Sequence, residues 1–269
     1  MKKITALILS MIMLIGCFGV AAFADDEITV TLRIEGAKEH IYSGSLSSTK
    51  TNLTEFLKEV DAANDSFEFT MVDSAYGTYV SAINGLAEKE ISDGSGWGYL
   101  VNGVAPATGI DGTTLKNGDV VVFYYYDYTT NFQFPKVDTS KINDGILTFT
   151  SDDTVYDENW NVSVVTNPVT DMTVVWYYGD GEKAEYVTDA NGQITIDENQ
   201  LTKGTHKIAI SKYDSSNKLS LVLTLPEDYA VEVTKDVTTG DNMAALFALA
   251  AIAGMAVVMT GFKKRAYEK

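Results

Sequence analysis

Between its two apolar ends the chain has one stretch with convincing helical periodicity, so strands must supply most of its core. Leu53, Phe56, Leu57 and Val60 fall at i, i+3, i+4 and i+7, which puts four apolar side chains on one helix face. Thr51 or Asn52 can cap its start, and Asn64 or Asp65 lies near its stop. Residues 28–34 alternate apolar and polar, as a half-buried strand does. Gly36 marks the turn that follows, and His40-Ile41-Tyr42 returns as the hairpin partner. Residues 120–126 are β-branched and aromatic, with the turn dipeptide Asn117-Gly118 just before them. Later strands are expected at 145–150, 173–178, 193–196, 206–210, 220–225 and 229–233. Turns at Gly179-Asp180-Gly181 and Asn191-Gly192 separate some of them. Short strands with regular turns and no helix indicate a β-sandwich. Residues 129–140 are polar, carry Pro135, show no period and read as a linker. The expected class is mainly β, with an α+β first domain at 25–128 and a sandwich at 141–235.

The ends give an address. Lys2-Lys3, an apolar run and Ala22-Phe23-Ala24 form a signal peptide over residues 1–24. Leu14-Ile15-Gly16-Cys17 offers a rival reading, in which Cys17 is lipidated. Residues 243–262 are apolar apart from Thr260, and twenty helical residues span about 30 Å, the thickness of a bilayer core. Lys263-Lys264-Arg265 in the tail 263–269 should stay cytoplasmic, which leaves residues 25–242 outside. In the stalk 236–242, Thr239-Gly240 before an apolar span and basic tail resembles a Gram-positive sorting signal. Asp236 and Val237 stand where that motif has Leu and Pro, so a plain membrane anchor is the other reading. The protein is expected on the outer face of the membrane, or in the wall if a sortase acts at Thr239-Gly240.

Composition excludes several functions. A hydrophobic content of 45% rules out disorder as the main state. The net charge of −17 deepens to −21 over residues 25–239, which hold 14 basic and 35 acidic side chains. Such a surface repels phosphate backbones, so no nucleic-acid partner is expected. One cysteine and two histidines leave no Cys/His metal site and little for a hydrolase. Acidic pairs such as Asp152-Asp153 read as solvated surface, and His206 reads as a strand residue. Asp180, Glu182, Asp189 or Asp197 could offer oxygen ligands to calcium, although no EF-hand spacing is present. No enzyme, resident cofactor or metal is expected.

The informative segment is 76–126. Tyr76-Gly77-Thr78-Tyr79 leads to Gly96-Trp97-Gly98-Tyr99-Leu100-Val101-Asn102-Gly103, then Gly109-Ile110 and Asn117-Gly118-Asp119-Val120-Val121. Glycines on both sides of Trp97 let the backbone and the indole approach a flat partner closely. Periodicity alone favours the other reading, Trp97 and Tyr99 facing the core of a small sheet, since aromatics in strands usually pack.

With the early hairpin and the helix at 53–60, these motifs resemble the small β-domain that closes the vertebrate cobalamin carriers. Its bacterial, transcobalamin-like counterpart is of the DUF4430 type. The resemblance covers about residues 27–128 and implies a β-grasp-like fold, one helix on a mixed sheet. It implies non-enzymatic capture of a corrinoid, or another flat hydrophobic molecule, by Trp97, Tyr99 and Leu100, with Gly109 and Ile110 nearby. Tyr76 and Tyr79 are added because they could flank the same edge. The carriers also have a helical barrel that covers the other ligand face, and this chain lacks one. The second domain resembles bacterial Ig-like and Cna-B-like stalk modules, through Thr188-Asp189-Ala190-Asn191-Gly192 and Leu201-Thr202-Lys203-Gly204-Thr205-His206. The expected partners are a small molecule, cobalamin foremost, a membrane transporter or a sortase, and the bilayer through 243–262. The alternative is an adhesin or stalk that binds a protein or a glycan.

Overall fold

The computed structural model describes residues 27–179, 181–216 and 219–235. They form two compact units that divide after Thr129, with Leu219 grouped in the first. The signal peptide with Cys17, the stalk with Thr239-Gly240, the apolar segment 243–262 and the basic tail lie outside the described residues. Among the described residues no helix is long and apolar enough to cross a membrane.

The first unit runs β1 (Ile28–Glu35), β2 (His40–Ser48), α1 (Leu53–Ala62), β3 (Phe69–Ser74), β4 (Gly77–Ile83), β5 (Leu86–Ala87), β6 (Ser95–Val101) and β7 (Val120–Asp127). Its main sheet has the order β2-β1-β7-β6, and β3-β4-β5 form a smaller one. β1 and β7 are parallel, from Thr31 opposite Val120 to Glu35 opposite Tyr124, and the other pairings are antiparallel. Alternation sends Val30, Leu32 and Ile34 of β1 and Val121 and Phe123 of β7 into one core. Leu53, Phe56, Leu57 and Val60 of α1 meet them there, as the helical spacing predicts. Asn52 is the cap: its Oδ1 accepts from Thr54 N (3.0 Å) and Glu55 N (3.4 Å). Its amide also donates to Asp111 O at 2.7 Å, tying the helix start to a 3-10 turn at Ile110–Gly112.

The second unit contains β8 (Lys136–Asp138), β9 (Ile146–Tyr156), β10 (Val162–Pro168), β11 (Thr173–Tyr177), β12 (Lys183–Val187), β13 (Gln193–Thr195), β14 (Gly204–Ser211) and β15 (Ala230–Val233). One sheet is β10-β9-β13 with β8 also on β9, and the other is β12-β11-β14-β15. Leu147, Phe149 and Ile194 from the first share a core with Val174, Trp176, Ile208, Ile210, Val231 and Val233 from the second. This is the sandwich-like arrangement expected of alternating strands. Trp176 donates its indole N–H to Gln200 O at 3.0 Å and stacks on His206, with ring centroids 4.5 Å apart. His206 is buried, its ring nitrogens 3.1 Å from Tyr177 O and 2.6 Å from Thr202 O, so it is a packed strand residue.

Two expectations are corrected. The stretch 129–140 is not a free linker: β8 pairs with β9, Gln133 N donates to Leu221 O and Leu223 N donates to Gln133 O, both at 2.9 Å. A three-residue strand is too short to show a period, and these backbone groups pair because buried ones must. Residues 220–225 form no strand, only single bridges from Ser220 to Tyr213 and from Val222 to Gln133.

Two glycines test the hairpin geometry. Gly192 has φ +71°, and a Cβ there would sit 2.3 Å from Phe149 O, whereas Gly181 has φ +87° with nothing near. Gly181→Ala should cost about 1–2 kcal/mol, the left-handed strain alone. Gly192→Ala should cost clearly more in chemical denaturation, because the backbone of β9 must also move; equal costs would contradict this. Asn52→Ala should cost about 1 kcal/mol in the same assay.

Candidate functional site

The site is built on β6, the edge strand beside β7. Its pleat places Trp97, Tyr99 and Val101 on the α1 side, where they pack against the core, and Gly96, Gly98 and Leu100 on the opposite face. Trp97 is half-buried. Its indole N–H donates to Leu86 O at 2.8 Å, and its ring meets Tyr125 edge-on at 5.2 Å. Tyr125 is buried and donates to Ala87 O at 2.7 Å, so β7 and the β5 segment hold the indole from two sides. Tyr99 stacks on Phe123 with centroids 5.7 Å apart. Its hydroxyl donates to Thr108 O and lies 2.8 Å from Thr113 Oγ1, which fastens the loop before the 3-10 turn. Burial pushes the Tyr99 hydroxyl above its ordinary pKa, against the pull of these hydrogen bonds.

The loop side completes the arrangement. Tyr76 is 93% exposed in the β3–β4 turn. Thr78 N donates to Asp111 Oδ1 at 2.9 Å, and a Cβ on Gly109 would sit 2.6 Å from Thr78 O. Only glycine lets these two backbones approach so closely. Tyr79 donates to Glu88 Oε1 at 3.1 Å, and that bond raises the phenol's pKa. Gly109 and Ile110 flank Asp111 in this contact, and Tyr99 joins them through Thr108; Tyr76 and Tyr79 lie beside Thr78 in the chain, with the Tyr79 ring on the opposite strand face and tied to Glu88. Trp97 joins through the segment 86–88, which also carries the partner of Tyr79.

The residues differ in what they can touch. Ile110 is 1% exposed and works as an apolar plug beneath the 3-10 turn. Leu100 is 5% exposed and faces away from Trp97 and Tyr99, because neighbours on a strand point to opposite faces. Gly98 does leave room for a flat group, but that group is internal: a Cβ there would sit 2.6 Å from the ring of Tyr124. Sequence reasoning missed Asp111, Glu88, Thr113 and Asp127. Asp127 is buried at the end of β7 and accepts from Ser92 Oγ, Thr129 N and Thr129 Oγ1, which holds the loop before β6. Burial alone would raise its pKa, but these donors outweigh it and hold the carboxyl below its ordinary value of 3.8. Asp189 accepts from Asn191 N and Gln193 N, both at 2.8 Å, and so shapes a turn. No group of three or more His, Cys, Asp and Glu among the described residues is arranged to hold a metal.

Comparison with known proteins assigns part of the chain. Residues 51–127 are a DUF4430 domain, described as a domain of unknown function. Among solved structures, haptocorrin in complex with Cbi is similar at 20% identity and a TM-score of 0.35, over 42% of this chain. The chain spans 28% of haptocorrin's length. A protein of Ruminococcus gnavus ATCC 29149, provisionally described as metal binding, is similar at 14% identity and a TM-score of 0.32. That likeness covers 37% of this chain and 97% of the other. The curated proteins gave no match.

Two predictions test how the site is held. Tyr99→Phe should cost about 1 kcal/mol and speed amide exchange around residues 108–113; unchanged exchange would contradict the anchoring role. Asp127 has a depressed folded-state pKa, so its contribution is full above 3.8 and is lost as pH falls through the folded value. Asp127→Asn should therefore lower stability at neutral pH, and the gap from wild type should close in acid, as denaturation midpoints across pH will show.

Proposed function

We propose that the first unit is a non-enzymatic binding module for a flat, largely hydrophobic small molecule, a corrinoid of the cobalamin type foremost. On this reading it is β-grasp-like, the second unit is an Ig-like spacer, and the apolar segment 243–262 holds both outside the membrane. The observation that carries the proposal is the set of rings on β4 and β6, Tyr79, Trp97 and Tyr99, with the exposed Tyr76 in the turn before β4. In Tyr79, Trp97 and Tyr99 the polar atom is already hydrogen-bonded within the protein and the ring is partly exposed. What they offer a ligand is ring surface, in orientations fixed before binding, which lowers the ordering cost. The DUF4430 domain over 51–127 contains all four residues and supports the transcobalamin-like resemblance from which the corrinoid comes. One unit covers one ligand face, so the complex is modest in affinity until a second protein, such as a membrane transporter, closes on the other face.

The test is a titration of the purified full chain, in mild detergent, with cobalamin and with cobinamide, followed by corrinoid absorbance. Micromolar or tighter binding is expected. Trp97→Ala should abolish it. Tyr76→Ala, at a position 93% exposed, should weaken it with no change in melting temperature. Absence of binding at ligand concentrations near a millimolar would overturn the reading in favour of an adhesive or spacer role.

A further inference from the structure

The loop between β5 and β6 holds one residue in a backbone conformation that its type does not favour. Lys89 has φ +60°, in the left-handed region. Among the described residues the other non-glycine positions there are Asn84, Asn102, Asp171 and Trp160. Asparagine and aspartate enter this region readily, and a lysine does not. The loop holds the strain because it is pinned along its length. Glu88 N donates to Ser81 O at 2.8 Å and Lys89 N to Ser95 O at 2.7 Å. Ser92 N donates to Ser95 Oγ at 3.1 Å, and Ser92 Oγ donates to Asp127. Strained residues persist where the surroundings over-determine them, and they cluster where ligands are met. None of these bonds involves the Lys89 side chain, so asparagine or glycine would serve the loop at less strain.

The position is a junction of the aromatic site. Glu88, the residue before it, accepts the Tyr79 hydroxyl, and Leu86 O accepts the Trp97 indole N–H. Lys89 N is itself bonded to the residue two before Trp97. The Lys89 side chain is exposed and forms no hydrogen bond or ion pair among the described residues. Its two acidic neighbours are committed elsewhere: Glu88 to Tyr79, and Glu90 Oε2 to Ala87 N at 2.8 Å. Lys89 is also the only base between residues 59 and 115, the stretch that holds Tyr76, Tyr79, Trp97 and Tyr99. A ligand that brings negative charge to these rings has one cation to meet.

We propose that Lys89 is a specificity residue of this site, whose ammonium group contacts a phosphate on the ligand; the proposal rests on the binding reading above. The flat body of the ligand lies on the rings, and Lys89 meets a single phosphodiester charge at their margin. An ammonium is a compact point charge with three donors, suited to a phosphate oxygen. Cobalamin carries a phosphodiester and cobinamide does not, so the two ligands separate this contact from stacking. The contact is exposed to water, so it is worth about two- to fivefold in affinity and fades with salt.

Titration of the full chain in mild detergent with cobalamin and with cobinamide, at low and at high salt, tests this in wild type, Lys89→Asn and Lys89→Arg. At low salt Lys89→Asn should bind cobalamin about two- to fivefold more weakly than wild type and cobinamide equally well. It should melt no lower than wild type, because asparagine adopts the left-handed conformation more readily. Lys89→Arg should keep the cobalamin affinity, and high salt should bring wild type and Lys89→Asn together. Equal losses for both ligands in Lys89→Asn, unchanged binding of both, a Lys89→Arg chain as weak as Lys89→Asn, or a cobalamin deficit that high salt leaves intact would each overturn the proposal. A wild type that binds neither ligand would overturn the reading beneath it, and the proposal with it.

Discussion

The parallel pairing of β1 with β7 is the constraint on which the first unit depends. Thr31–Glu35 and Val120–Tyr124 come from opposite ends of the unit, so their contact closes nearly its whole length. The seal at the bottom is polar: Thr29 N donates to Asn117 Oδ1 at 2.8 Å, and Gly118 N to Thr29 O at 2.7 Å. Once the two strands lie together, Val30, Leu32, Ile34, Val121 and Phe123 form the apolar face that α1 covers. The next two residues of consequence on β7 then do different work. Phe123 seats Tyr99 and Tyr125 seats Trp97, so the long-range pairing that makes the core also orients the aromatic edge.

This coupling explains why the candidate site is half core and half surface. Trp97 and Tyr99 spend one part of each ring on packing and offer the remainder to solvent. Their polar atoms are bound to Leu86 O and Thr108 O, which places the loops before β6 and after it at fixed heights beside the strand. A surface made this way is rigid because it is part of the fold, and changes in it are felt as stability. The second unit solves a simpler problem. Its core closes around Trp176 and His206, and its elongated β9–β10 hairpin leaves one strand uncovered.

Much of the fold was legible wherever one face of an element is buried. α1 was readable from four residues, and β1 and β7 from alternation and β-branching. β10 was not, since valines at 162, 164 and 165 break the alternation on a strand that buries neither face. β8 was not, because three residues carry no period. The site was legible in its parts and ambiguous in its use. The Gly-Trp-Gly-Tyr run stands out in the sequence, but its periodicity favours the core, and the ligand reading came from the family resemblance. That Gly98 makes room for Tyr124 depends on register across two strands, which sequence spacing does not reveal. Leu100 came with the motif, and strand alternation alone separates it from Trp97 and Tyr99. Asp111 and Glu88 gave no signal, because two acids among 37 are indistinguishable until the fold places them beside Thr78 and Tyr79.

The central claim is that a flat ligand is held along β4 and β6 and not elsewhere on the chain. Hydrogen–deuterium exchange of the full chain, with and without saturating cobinamide, tests it most directly. The account predicts slower exchange in residues 76–79, 86–101 and 105–113, with the second unit unchanged. Protection confined to the second unit, or none at a concentration that saturates binding, would contradict it.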